Sequence, residues 1–286
     1  MKIHISTEEA ERFAESGWLL KTGVLDSHLI EELHQRFDAL FHGTFATGVT
    51  PDEVNWQFGK SDPSLTRQIC NAWKADRSIA RVVLDESLGG AVAQLTGWPG
   101  VRIFQDNVLW KPRGARSIGF HQDNAYIRWL KPREMISCWM PLDDTYTDGG
   151  TMEVVPGSHR WTPMEPSGAF HAPDDYRAPL NAAAAVNGVH AETVPVLATQ
   201  GSISFHHGWL WHGSNHNQSD HDRRVLVLHA ISSEAEFVPA YLHEGVGPIY
   251  GRYRRLTDNR LDENFFPVLW HGQQGRSPGL AAYLAS

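Results

Sequence analysis

"SISFHHGWLWHGSNHNQSDHDRRVLVLHAI", residues 202–231, carries two β-type runs, 202–206 and 224–231, around a polar, histidine-rich connection. Strand, tight turn and strand again is the texture of an antiparallel sheet, not of an alternating α/β chain. The texture already holds from about Val101, in "VRIFQDNVLW" (101–110), "MISCWMPL" (135–142), "TMEVV" (151–155) and "ETVPVL" (192–197). Gly, Pro and Asp punctuate the gaps, as in "KPRG" (111–114), "TDGG" (147–150) and "PGSH" (156–159). Many short strands at this spacing predict a mainly β fold with flanking helices: a double-stranded β-helix, the cupin-like jelly roll.

The N-terminal region, 1–100, reads as mostly helical support. Ser6 and Glu9 form a capping box for "STEEAERFAESG", and Gly17 stops it. In "DSHLIEELHQRFDALFHG", Asp26 caps a helix whose Leu29, Leu33, Phe37 and Leu40 share one face. "SIARVVLDESLGGAVAQLTG" (78–97) is a third helical run, weakened by Gly89–Gly90. With no internal repeat and no low-complexity linker, 1–286 is expected to form a single domain: helices to 100, a jelly-roll core over 101–231 and an extension over 232–286. Segment 162–190 is the one long irregular insertion, and loops of that length are uncommon unless functional or disordered.

Composition narrows the function. The formal charge is −8, and the densest basic run is "RYRR" at 252–255, so a nucleic-acid or anionic-membrane surface is not expected. No apolar stretch approaches the roughly 20 residues needed to span a bilayer. The beginning of the chain, "MKIHISTEEAERF", has no apolar core of a signal peptide. Two cysteines, Cys70 and Cys138, imply no disulfide framework, so a cytoplasmic protein is expected, monomer or homodimer.

In "GFHQDNAYIRW" (119–129), His121 and Asp123 lie two apart. If 118–124 is a strand, both side chains project to one face and give two legs of a metal site. The third leg must come from elsewhere, and the opening stretch supplies His212, before Gly213–Ser214. Two histidines and one carboxylate with open positions make the facial triad of non-haem Fe(II) oxygenases. His206 and His207 compete for the third place, but "SFHHG" reads as a strand end. Such enzymes use a co-substrate with a free carboxylate, for which a guanidinium is a two-pronged partner. Arg223, opening the next strand, can reach the same cavity. Its neighbour Arg224 must then face the other way.

The ordered set FHQD (120–123), Trp139, GSH (157–159), HGS (212–214) and Arg223 resembles the phytanoyl-CoA dioxygenase family of Fe(II)/2-oxoglutarate oxygenases, over roughly Val101 to Ile231. The resemblance implies that His121, Asp123 and His212 hold Fe(II) and that Arg223 binds the C5 carboxylate of 2-oxoglutarate. It further implies that Trp139 lines the oxoglutarate pocket, that Ser214 helps hold the carboxylate, and that Asn107 is another contact. Gln68 is the nearest match to an upstream contact that is usually Lys, a departure from the pattern. Related halogenases have a small residue where Asp123 stands, so the carboxylate predicts hydroxylation or another oxidation instead of halogenation. The implied reaction consumes O2, releases succinate and CO2, and oxidises a C–H bond of a small-molecule metabolite. Tyr126, Arg128, Trp129, Trp209 and Trp211 are candidate substrate-pocket residues. Two rival readings keep the fold: a metal-free or zinc-bearing small-ligand-binding protein, and a zinc metallohydrolase. Residues 126–129 and 162–190 do not select a substrate.

Overall fold

The computed structural model describes residues 1–167 and 169–285. Its helices start where the sequence places their caps. At α1 (Thr7–Ser16), the Ser6 hydroxyl accepts from the Glu9 N–H and the Glu9 carboxylate accepts from the Ser6 N–H, while Gly17 closes the helix in the left-handed region (φ 78°). Asp26 caps α2 (Ser27–Phe41), which buries Ile30, Leu33, Phe37 and Leu40. Each such side chain contributes about 1.5–3 kcal/mol on burial. Leu29, expected on that face, is only partly buried, and Ile30 takes its place.

The third helical run divides into α3 (Arg77–Val83) and α4 (Glu86–Thr96), with Asp85 capping the second. The break falls at Leu84–Asp85, so the glycines are not its cause. Gly89 sits inside α4 because a Cβ there would come within 2.9 Å of the Leu269 side chain. Three further helices are α5 (Ala178–Asn187), α6 (Gly247–Tyr250) and α7 (Leu280–Ala285). None of the described helices is long and apolar enough to cross a membrane.

The strands are β1 (Trp18–Lys21), β2 (Glu53–Val54), β3 (Arg67–Cys70), β4 (Gly100–Lys111), β5 (Ile118–His121), β6 (Leu130–Lys131) and β7 (Ile136–Pro141). They continue with β8 (Met152–Val154), β9 (Val194–Pro195), β10 (Ile203–His207), β11 (His212–Ser214), β12 (Arg223–Ser232), β13 (Glu236–Phe237) and β14 (Val268–His271). The main sheet runs β1-β10-β7-β12-β4-β3-β2, with β14 also on β4; a smaller sheet runs β5-β11-β8-β9. All of these pairs are antiparallel. This is the jelly roll. The helical reading of 1–100 misses that this region also lends β1, β2 and β3 to the main sheet. "ETVPVL" yields only Val194–Pro195, since a proline has no N–H to continue a ladder.

Alternation along the main sheet separates two environments. Val108, Trp110, Cys138, Met140, Leu226 and Leu228 point outward and join the helices in the largest apolar cluster. Trp139, Val225 and Val227 point inward, toward Met152 and Val154 of the smaller sheet. The site lies in that inner space.

Candidate active site

His121 ends β5, His212 opens β11, and the two are register partners across the smaller sheet. Their rings lie 4.2 Å apart. The strand expected through 118–124 stops at His121, and Asp123 instead begins a 3-10 turn, Asp123–Tyr126. The turn brings its carboxylate back over the pair: Asp123 Oδ1 is 3.4 Å from His121 Nε2 and 3.6 Å from His212 Nε2. Gly213 permits this pairing, because a Cβ there would come within 2.9 Å of the Phe120 ring.

The imidazoles are oriented from behind. His121 Nδ1 is 2.8 Å from the Gly119 carbonyl and His212 Nδ1 is 2.9 Å from the Leu210 carbonyl. A carbonyl only accepts, so each Nδ1 carries a hydrogen, which in the neutral ring leaves the Nε2 lone pair turned inward. Burial pushes His212 well below the ordinary imidazole range, which keeps it neutral. An ion bonded at roughly 2.1 Å can bridge donors up to about 4.2 Å apart. Asp123 Oδ1 lies inside that reach of both Nε2 atoms, and the ligating atoms of all three residues cluster within 4.8 Å of one another, a group able to close on one ion. His206 stands beside this group but faces the other carboxylate oxygen, with Nε2 3.5 Å from Asp123 Oδ2. His207 turns away toward His159, with ring centres 5.4 Å apart.

Beyond the triad, β12 and β4 place Arg223 opposite Lys111. Both cations are buried. Burial lowers Arg223 to about 10, and burial together with Arg223 holds Lys111 well below the usual lysine range. Arg223 Nε has no hydrogen-bond partner among the described residues. Lys111 Nζ donates to the Ser214 hydroxyl (2.8 Å) and to the Asn215 carbonyl. Lys111 is the donor in this contact, so the Ser214 hydrogen stays available to a ligand. Trp139 flanks the end of the cavity, its ring 5.6 Å from the Arg223 guanidinium. Arg224 occupies the opposite face, paired with Asp143 at 3.1 Å and stacked on Trp110 at 4.7 Å.

The triad, Arg223, Ser214 and Trp139 share a cavity of about 290 Å³ that also reaches Gln68, Asn107 and Tyr126. Gln68 accepts from Asn55 (3.2 Å). Asn107 is held between Gln105 (2.6 Å) and His229 (3.0 Å). Phe170, from the 162–190 insertion, packs edge-on against His121 with ring centres 4.7 Å apart. The insertion zips onto β5: Gly119 N–H donates to the Phe170 carbonyl (2.9 Å) and Ala172 N–H to the Ser117 carbonyl (3.0 Å). Gly168 of this segment lies outside the described residues.

Four of the five aromatic-turn candidates do not line the cavity. Arg128 points out to pair with Glu244 at 3.4 Å and to stack on Tyr241. Trp129 is fully buried elsewhere, stacked on Tyr250 and Phe237. The 3-10 turn breaks the strand alternation that would have aimed it inward. Trp209 lies under the Arg133 guanidinium. Trp211 adjoins His212 in extended chain and so faces the other side, packing with Phe120 and Val155. Tyr126 does line the cavity, 6.3 Å from the His121 ring.

Sequence reading missed Lys111, Ser137 and His229. Strand alternation carries the signal for each: Lys111 shares a face with Asn107, Ser137 with Trp139, and His229 with Arg223.

The profile of the family described as Phytanoyl-CoA dioxygenase (PhyH) matches residues 13–225. A probable alpha-ketoglutarate-dependent hypophosphite dioxygenase of Stutzerimonas stutzeri is 26% identical over 200 residues, covering 66% of each chain. The non-heme alpha ketoglutarate dependent carbocyclase SnoK, from nogalamycin biosynthesis, superposes with a TM-score of 0.70 at 21% identity, over 92% of this chain and 96% of its own. The epimerase SnoN, solved with Fe3+, alpha ketoglutarate and nogalamycin RO, gives 0.69 at 20% identity, over 92% and 97%.

Proposed function

The chain belongs to the phytanoyl-CoA dioxygenase family, and from that premise we propose that it hydroxylates an unactivated C–H bond of a small, largely apolar metabolite. It is a dioxygenase whose cofactors are iron(II) and 2-oxoglutarate, with O2 as co-substrate. When bound, iron and the keto acid supply the oxidant: oxidative decarboxylation yields succinate and CO2, with one oxygen atom going to succinate and one to the substrate.

The chain's own residues do the rest. His121, Asp123 and His212 hold the ion with fixed tautomers. Arg223 takes the far carboxylate of 2-oxoglutarate, joined by the Ser214 hydroxyl, which Lys111 orients. Trp139 walls that end, and Asn107 and Gln68 flank it. On the opposite side Tyr126, Phe104, Ile127, Met135 and Phe170 leave an apolar space that receives the substrate and excludes water. The segment 162–190 and the chain after 232 close that side as a lid. A cytoplasmic location accords with two buried free thiols.

One observation carries this reading: two imidazoles and a carboxylate cluster as donors for a single ion within the same cavity as a buried, incompletely bonded guanidinium. Anaerobic addition of Fe(II) and 2-oxoglutarate tests it. A weak visible charge-transfer band is expected, followed by oxygen-dependent succinate release. No band would leave a carrier; turnover without oxygen would make the protein a metallohydrolase.

A further inference from the structure

One oxygen of Asp123 faces the two histidines; the other, Oδ2, accepts a 2.5 Å hydrogen bond from the Ser137 hydroxyl. A carboxylate has no hydrogen to give, so the single Ser137 hydrogen is committed there. Ser137 is also 2.8 Å from His229 Nδ1 and must accept from it. In a neutral ring His229 Nε2 is then the acceptor, so Asn107, 3.0 Å away, presents its Nδ2. Asn107 Oδ1 therefore accepts from Gln105 Nε2 at 2.6 Å. Gln105 Oε1 in turn accepts from the Tyr250 hydroxyl. Tyr250, its hydrogen used, accepts from Asn71 Nδ2 at 3.2 Å, and the same amide donates to Asp52 at 2.7 Å. Asp52 is pinned at the rim by Lys74 (2.7 Å), Tyr253 (2.5 Å) and Arg252 (2.8 Å).

Six successive hydrogen bonds thus cross the inner face of the main sheet, all donating toward Asp123. Cross-strand register lays the row: Ser137 opposes His229 on β7 and β12, and His229 opposes Gln105 on β12 and β4. Ser137, His229, Asn107, Gln105, Tyr250 and Asn71 are all buried. The row runs from β7 to the residue after β3, and no core-packing need calls for a polar side chain on each strand it crosses.

We propose that this one-way chain is a positioning device that keeps Asp123 a single-oxygen ligand. The inference rests on the reading of His121, Asp123 and His212 as metal ligands. With Oδ2 tied to Ser137, only Oδ1 is offered to the ion. A six-coordinate ion held by these three donor atoms would have three positions left for the keto acid and dioxygen. A carboxylate bound through both oxygens would leave two. Ser137 acts through Asp123, and the residues behind it act through Ser137.

The test needs no turnover. Long-range 1H–15N NMR of the metal-free full chain at neutral pH should show His229 as the neutral Nδ1–H tautomer. Titration with Co(II), followed by its visible absorption, should give one site that is lost in His212→Ala. Ser137→Ala should weaken Co(II) by about 10–100-fold, the range for loss of a partner behind a metal ligand, and alter the Co(II) band pattern as the carboxylate binds through both oxygens. Ser137→Thr, which keeps the hydroxyl, should restore affinity to within a few-fold of the native chain. An Nε2–H or charged His229 overturns the chain's direction, a result that does not depend on any variant folding. Tight Co(II) binding unchanged in a folded Ser137→Ala chain overturns the positioning role. Failure of the native chain to bind Co(II) overturns the metal site itself, and this proposal with it.

Discussion

The two faces of the main sheet are made by the same strands and behave as two different materials. On β12, Leu226, Leu228 and Ala230 pack outward against helices, while Arg223, Val227 and His229 line the cavity. On β4, Val108 faces the core and Gln105, Asn107 and Lys111 face inward. The outer face holds the fold through non-directional apolar burial. The inner face buries polar groups that are stable there only because each is bonded or awaits a ligand. A period of two along the backbone is all that separates them.

The sharpest way to break this division is to remove an inner donor. Asp123→Ala or His212→Ala should abolish succinate formation in a chain that still folds, with a melting temperature somewhat below native. The first change strands the Ser137 hydroxyl and the second the Leu210 carbonyl, each costing about 1–3 kcal/mol, and the outer face is untouched. Succinate release and a thermal melt on the same sample check it. Full activity in the aspartate variant contradicts the ligand assignment.

Leu228→Ala makes the reciprocal cut. It should cost about 2–5 kcal/mol of stability, read by urea denaturation, yet leave the Co(II) and 2-oxoglutarate affinities of the folded chain unchanged. A changed ligand affinity would mean that the two faces are mechanically coupled.

Arg223→Ala comes next. A charge-assisted hydrogen bond contributes roughly 1.5–3 kcal/mol, so 2-oxoglutarate binding should weaken by about 10–150-fold. Titrating the charge-transfer band measures this. Arg224→Ala, on the outer side of the same strand, should leave the keto-acid affinity alone.

The unequal legibility of the sequence follows from the same geometry. The α1 and α2 termini could be read because Ser6, Glu9, Gly17 and Asp26 act on their immediate neighbours. His121, His212 and Arg223 are singled out by their joint order and spacing, since none of the three is unusual alone in a chain with sixteen histidines. The short strands β1 and β3 stayed hidden because four residues carry little periodic signal, and their pairing is decided by β10 and β4 far along the chain. The aromatic run after Asp123 misled for a related reason. A tryptophan fills a core as readily as a pocket, and the 3-10 turn that decides between them is set by tertiary packing. Ser137 and His229, by contrast, were within reach: counting by twos from Trp139 and Arg223 finds both.

Ligand-gated protection compares the closed and open states of the substrate side. If 162–190 and the chain after 232 form the lid, limited proteolysis in both segments should slow when 2-oxoglutarate and substrate are added together. Identical cleavage with and without them removes the lid from the account.

The smallest expected effect sits at the boundary of the cavity. Arg128 lies two residues beyond Tyr126, which ends the 3-10 turn, yet Tyr126 faces the site and Arg128 reaches Glu244 on the surface. An exposed ion pair of this kind contributes about 0–1 kcal/mol. Arg128→Ala should therefore change substrate KM and kcat by less than about twofold, where Tyr126→Ala should raise KM severalfold by opening the apolar wall. The steady-state constants of the two variants, measured side by side, decide whether the turn divides as its geometry says. A large KM effect from Arg128→Ala would instead place an anionic group of the substrate outside the cavity, within reach of that guanidinium, and the substrate class would have to be redrawn from apolar to charged.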